Sequence, residues 1–190
     1  MLLTPITKEI FESNNKIYFD RIDKGFDRYT SGILSLPKED LSSMKEKEKL
    51  DLIIKNENKY IEFMQKVYII NKDKPLMIDF YLKDIDNNGV LRILDSLDYE
   101  DKIIFINHLR YLDKETVYFS IENKNLLPFL TRLSTRELHF CTMYFTSVPI
   151  TIWGNYNLNF PLFFENGEKL DYYNEIAKDC GLIIRNKVVI

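Results

Sequence analysis

Between Ile150 and Phe160 the side chains alternate: Ile150, Ile152, Tyr156, Leu158 and Phe160 fall on one side, and Asn155, Asn157 and Asn159 on the other. A period of two belongs to a strand with one buried face, so the chain needs a sheet and something to cover it. A single strand over 150–164 would extend ~50 Å at about 3.3 Å per residue. One body of 190 residues has a radius of gyration of only about 16 Å. A turn or bulge at Gly154-Asn155 is therefore expected.

Helical spacing dominates earlier in the chain. Thr4 and Pro5 open a helix through Ile6, Ile10 and Phe11, and Gly25 ends the next segment. After Pro37, Leu41, Met44, Leu50, Ile53 and Ile54 mark an apolar side, repeated in Tyr60, Ile61, Met64, Val67 and Tyr68. One helix over 38–71 would measure roughly 50 Å at ~1.5 Å per residue, so a break is expected at Asn56-Glu57-Asn58. Asp98 caps a helix through Phe105, Leu109 and Leu112, with Asp101 at its third position supporting the cap. Residues 126–136 form a shorter helix capped by Asn125, with Pro128 in its first turn.

Segments 116–121 and 138–145 are rich in β-branched and aromatic residues and read as strands. A helix over 170–180, stopped by Gly181, leads to a last strand over 182–190. Segment 76–94 fits either a hairpin or a helix–turn–helix. The expected architecture is one α+β globular domain over 1–190: a helical N-terminal half, then a mainly antiparallel or mixed sheet with a C-terminal helix and strand.

Charge narrows the function classes. The formal net charge is −3, and the most basic run, Lys45 to Lys49, is interleaved with Glu46 and Glu48. Nucleic acid is not an expected partner, because a phosphate-neutralising surface needs clustered Lys and Arg. The N-terminal Met1-Leu2-Leu3-Thr4-Pro5 reads as no signal peptide. The apolar runs fall far short of the ~20 residues that span a membrane. Cys141 and Cys180 are too few for a disulfide framework or a cysteine-rich zinc motif. Ala177 is the single alanine while Asn, Lys, Ile and Tyr abound, a bias of A- and T-rich codons that suggests a bacterium or its phage. A soluble, cytoplasmic bacterial protein without cofactor or metal is the expectation.

Four features carry possible chemistry. Asp84, Asp86 and Asn88 stand at positions one, three and five of a twelve-residue stretch, with Gly89 at six, Leu91 at eight and Asp95 at twelve. This stretch resembles a calcium loop of the EF-hand family, which would imply a cation held by oxygens, although Asp95 replaces the usual bidentate Glu. The alternative is a polar turn at Asn88-Gly89. Glu137, His139 and Cys141 would share one strand face, the raw material of a nucleophilic site. Neighbours on that face lie about 6.5–7 Å apart, beyond hydrogen-bond reach, and Met143 and Phe145 continue the face towards burial. His108 sits at the edge of a helical apolar stripe.

The third feature is an acidic stretch, Asp79, Asp84, Asp86, Asp95, Asp98, Glu100 and Asp101, against Lys83 and Arg92. Such a surface can steer a basic partner. The fourth is the aromatic sheet region, Tyr144-Phe145, Trp153, Tyr156, Phe160 and Phe163-Phe164. Trp153 falls on the Asn-bearing side of its strand and would anchor an interface if that side faces solvent, or join the core if a helix covers it. The expected function is a non-catalytic protein-binding domain, most specifically an immunity-type protein that neutralises a basic toxin through Asp79, Asp84, Asp86, Asp95, Asp98, Glu100, Asp101 and Trp153. The alternatives are a small enzyme using His139, Cys141 or His108, and a calcium-binding domain through residues 84–95.

Overall fold

The computed structural model describes residues 2–38, 41–113 and 115–190. Its frame is an eight-stranded antiparallel sheet. The strands are β1 (Thr4–Pro5), β2 (Thr30–Ser35), β3 (Leu76–Asp79), β4 (Tyr118–Ile121), β5 (Thr142–Phe145), β6 (Ile150–Trp153), β7 (Phe160–Phe164) and β8 (Ile183–Val188), in the spatial order β1-β4-β3-β5-β6-β7-β2-β8. The α+β class, the helix-rich first half and the C-terminal helix and strand stand as expected. The segment 76–94 is neither hairpin nor helix–turn–helix: it is β3, a short 3-10 turn at Leu82–Asp84 and the helix α4 (Asn87–Ser96).

The pleat sends Ile78, Phe119, Met143, Ile152 and Leu162 to one face and Met77, Tyr144, Thr151 and Phe163 to the other. The first face carries the main core. There α3 (Glu46–Ile70) packs on α6 (Leu126–Thr135), α5 (Tyr99–Tyr111) contributes Ile104 and Phe105, and α7 (Gly167–Asp179) contributes Leu170 and Tyr173. On the second face lie α1 (Lys8–Asn14), which inserts Phe11, and α2 (Ile22–Arg28), whose Phe26 ring meets Phe163 at 5.0 Å.

Several local expectations change. Thr4 and Pro5 pair with β4 instead of opening a helix, and α1 starts after Thr7, whose hydroxyl accepts from Ile10 N at 3.3 Å. Gly25 lies inside α2, because a Cβ there would stand 2.7 Å from the Phe19 ring and 2.8 Å from that of Phe163. The break at Asn56-Glu57-Asn58 does not occur. α3 continues for 25 residues, about 37 Å at 1.5 Å per residue, with Glu57 bound to Arg136 across the α3–α6 contact. The expected start at 38 falls partly on residues 39 and 40, outside the described residues.

Asp98 occupies the N-cap of α5 without a side-chain cap bond, and Asp101 turns inward to Arg132. Likewise Asn125 precedes α6 without capping it by its side chain. The strand expected over 138–145 shortens to β5, while Gly154 does separate β6 from β7. Gly181 ends α7 at φ 69°. Among the described residues no helix is long and apolar enough to cross a membrane.

Candidate functional site

Three strand pairings set Tyr118, Asp79, Thr142 and Trp153 side by side across β4, β3, β5 and β6, on the face away from α3. With strands about 4.8 Å apart, this row spans roughly 14 Å. The next row along the strands, Met77, Tyr144, Thr151 and Phe163, is roofed. Phe11 of α1 meets Tyr144 edge-on at 4.8 Å, Thr151 Oγ1 donates to the Ile17 carbonyl at 2.7 Å, and Phe19 meets Phe163 at 4.6 Å. The roof stops short of the Asp79 row. What remains is a cleft of about 670 Å³, walled by Tyr18, Phe19, Tyr81, Phe140 and Tyr156, with Asp20 and Lys8 among its lining residues.

Asp79 forms the floor and is only 7% exposed. Its Oδ1 accepts the Thr142 backbone N–H at 2.7 Å, and its Oδ2 accepts the Tyr144 hydroxyl at 3.0 Å. Among the described residues no lysine, arginine or histidine forms an ion pair with it. Burial pushes its carboxyl up to about 6, although both hydrogen bonds favour the charged form. At neutral pH this favours the ionised carboxylate, while Lys8, the cation among the cleft's lining residues, pairs with Glu12 at 3.6 Å. The surrounding phenols stay neutral: burial first, then the Asp79 charge, raises Tyr81 to about 12 and holds Tyr144 well above its ordinary range. Tyr118 is raised by burial and then by Tyr18, with the Asp79 charge contributing least.

The flanking rings are held from behind. Tyr118 stacks on Phe11 at 4.1 Å and 21°, and Trp153 stacks on Phe19 at 5.7 Å and 13°. The wall beyond Trp153 depends on Gly154, whose N–H donates to the Cys141 carbonyl at 3.1 Å. A Cβ at Gly154 would come within 2.8 Å of that carbonyl and 2.9 Å of Ser134 Oγ, so only glycine lets the chain turn this closely over α6. The turn delivers Tyr156, packed edge-on against Phe140 at 4.7 Å, to the cleft.

The same wall is tied to the helical layer by Glu137. α6 ends with Leu138 N bonded to Leu133 O at 2.9 Å and Glu137 N to Ser134 O at 3.2 Å, a closure that puts Glu137 in the left-handed region at φ 55°. Its carboxylate takes Lys49 Nζ at 2.7 Å and the Asn157 N–H at 2.7 Å.

Of the residues singled out in the sequence, Asp79 and Trp153 come together in this row, two strands apart. Asp84, Asp86, Asp95, Asp98 and Glu100 are exposed along the Leu82–Asp84 turn, α4 and α5. Asp101 is 3% exposed and receives Arg132 Nη2 at 3.0 Å. The acidic stretch is thus no single surface, since its first and last members face inward.

The calcium-loop reading meets a helix: Asp86 caps α4 by accepting Gly89 N at 2.7 Å, and Gly89 is a first-turn residue. Residues 87–95 cannot wrap a cation while helical. Among the described residues no group of three His, Cys, Asp or Glu side chains is placed to hold a metal ion.

The proposed strand triad disperses. Glu137 faces Lys49. His139 sits edge-on to Phe80 at 5.0 Å, with Nε2 lacking a partner among the described residues and its pKa lowered by burial. Cys141 lines the cleft, but burial and then the Asp79 charge push its thiol up to about 12, so it stays protonated. His108 is fully buried rather than at an edge. Its Nδ1 lies 2.7 Å from the Ile104 carbonyl and its Nε2 accepts the Leu3 N–H at 3.2 Å, a hydrogen-bonded core histidine.

Tyr18, Tyr81, Tyr118 and Phe140 were not singled out from the sequence. A usable signal was the acid in the alternating run Met77, Asp79, Tyr81, where a strand's buried side carries a carboxylate flanked by bulky residues.

Compared with known proteins, the chain matches no family model, no curated protein and no solved structure. The functional reading rests on the cleft itself.

Proposed function

We propose that the chain is a non-catalytic binding protein that receives a positively charged side chain of a basic partner protein in the Asp79 cleft. One observation carries the reading: a buried carboxylate that forms no ion pair among the described residues, at the floor of an aromatic-walled cleft. Burying such a charge costs free energy, which a cation supplied from outside would offset. Aromatic faces beside it favour a cation further.

The finer reading is an immunity-type protein of a bacterial cytoplasm that holds a basic toxin. Supporting it are the net charge of −3 and the exposed Asp95, Asp98 and Glu100 on α4 and α5, which can speed encounter with a basic partner. On the same helices Leu91, Tyr99 and Tyr111 are exposed and available as contacts.

A tagged pull-down from host lysate tests this reading, run in parallel with wild type and Asp79→Asn. A stoichiometric, salt-sensitive basic partner that the variant fails to retain is expected. Retention by Asp79→Asn would move the contact away from the cleft. Recovery of the bait alone, with the toxin of a neighbouring gene shown to be present, would count against a toxin partner.

A further inference from the structure

We propose that the group the cleft takes is a guanidinium, the side chain of an arginine, in preference to the ammonium of a lysine. This rests on the cationic reading of the Asp79 cleft.

The first argument is the carboxylate. Each Asp79 oxygen is held by one donor from β5, Thr142 N on Oδ1 and the Tyr144 hydroxyl on Oδ2. Two such bonds fix the carboxylate plane and still leave each oxygen able to accept once more. A planar fork with parallel N–H groups matches that arrangement in a bidentate pair, whereas an ammonium is a point charge that gains nothing from the fixed plane.

The second argument is the pair of rings on either side. Tyr118 is adjacent to Asp79 in the row and Trp153 lies beyond Thr142. Each is immobilised by a near-parallel stack on a roof residue, Phe11 and Phe19 respectively. Rings fixed before binding lose little entropy when a flat cation lies against them. Guanidinium stacks on aromatic faces and is weakly hydrated; ammonium is compact and strongly hydrated, so entering this desolvated floor costs it more.

The third argument is the supply of acceptors. A guanidinium has more N–H donors than one carboxylate can satisfy. Tyr81 and Tyr118 remain neutral phenols whose oxygens can accept, and Thr142 and Asn155 add side-chain oxygens in the same cleft. The volume, about 670 Å³, exceeds what a bare ion needs and fits an arginine side chain with its adjoining backbone.

The chain carries its own reporter, since Trp153 is the single tryptophan and stands in the row. Titrations of the full chain would follow Trp153 emission, with the Thr142 amide resonance as a second readout. The probes are the N-acetyl, N-methylamide derivatives of arginine, lysine and citrulline, the last a neutral isostere of arginine. The arginine probe is expected to saturate in roughly the millimolar range usual for a ligand of its size, at least about tenfold more tightly than lysine, with citrulline inert.

Asp79→Asn, which keeps the side-chain size and one acceptor oxygen, is expected to lose at least about tenfold for arginine. Lysine binding as well as arginine would overturn the guanidinium assignment and leave the cationic cleft standing. Citrulline binding as well as arginine, or no response from any probe at either reporter, would overturn both.

Discussion

Asp79 is held where its charge is costly, and that cost has a sign that can be measured. Its carboxyl is raised from an ordinary value near 3.8 to about 6. Between those values the folded chain keeps a proton that the unfolded chain has released. The contribution to stability is therefore greatest below about pH 4 and is lost as pH rises through about 6, on the order of 3 kcal/mol in all. His108 and His139 act in the opposite sense, because burial lowers both and stability falls as pH drops below their ordinary value of 6.5. The whole-protein curve mixes these terms, whereas the difference between wild type and Asp79→Asn isolates one. Urea unfolding across about pH 4 to 7 should show the variant gaining on wild type as pH rises, by up to about 3 kcal/mol. A constant difference across that range would mean that burial does not raise the Asp79 carboxyl above its unfolded value. A variant that binds less and folds better is the usual mark of a residue kept for function.

The elements owe their positions to polar ties that periodicity does not reveal. In α3, Asn56 Nδ2 donates to the Leu52 carbonyl at 2.9 Å, and Glu57 accepts Arg136 Nε at 2.8 Å and Nη2 at 2.7 Å. Both partners of that ion pair are nearly buried, at 9% and 8% side-chain exposure. A polar triplet that reads as a break is in fact the bolt between two helices, because its partner lies 79 residues away. Removing one member leaves the other charge buried, so Glu57→Ala should cost about 3–5 kcal/mol by denaturant unfolding. The joint replacement Glu57→Met with Arg136→Leu should cost far less. Equal losses would show that the packing of α3, and not the stranded charge, sets the penalty.

Glu137 is a second tie, and it accepts strain to make it. A left-handed non-glycine residue costs roughly 1–2 kcal/mol, yet here its carboxylate reaches both Lys49 and Asn157 N. Glu137→Gly would relieve the backbone and cut both bonds. Global stability should then change by less than about 1 kcal/mol, the gain and loss offsetting. The Asn157 amide, however, should exchange at least about tenfold faster, because its acceptor is gone. Unchanged exchange would mean that the loop carrying Tyr156 holds its shape without Glu137.

Those ties mark the limit of what the chain showed when read alone. The helical repeats through Tyr60 and Phe105, the break at Gly154 and the stop at Gly181 were legible because each is a local signal. Asp79 and Trp153 were picked for separate reasons, an acidic run and an exposed-side tryptophan. Only the β3–β5–β6 register brings them into one row. Tyr18, Tyr81 and Tyr118 were not legible, since the fold brings them to the cleft from three distant stretches, and no single stretch of sequence encodes that.

The strand order makes the whole molecule depend on its last strand. β2, early in the chain, lies between β7 and β8, so it is closed into the sheet only when residues from 160 onwards have arrived. β8 covers the edge of β2 through Leu34↔Ile184 and Ser35↔Ile183, while Leu182 at 1% and Ile184 at 5% exposure fill the core beneath. Losing two such aliphatic side chains costs about 2–5 kcal/mol each, against a total of about 5–15 kcal/mol for a domain. The bared edge of β2 adds a template for association with other chains. A chain ending at Gly181 should therefore lose its cooperative melt and aggregate. One ending at Val188 gives up only the exposed Val189 and Ile190 and the bond from Ile190 N to Thr30 Oγ1. It should melt within a few degrees of wild type, as expected for a loss of about 1 kcal/mol. If the shorter chain instead melts cooperatively, β8 is an accessory edge and the sheet closes on β2 without it. The Trp153 signal with the arginine probe would then tell whether the cleft, whose Trp153 on β6 lies three strands in from β8, forms independently of that edge.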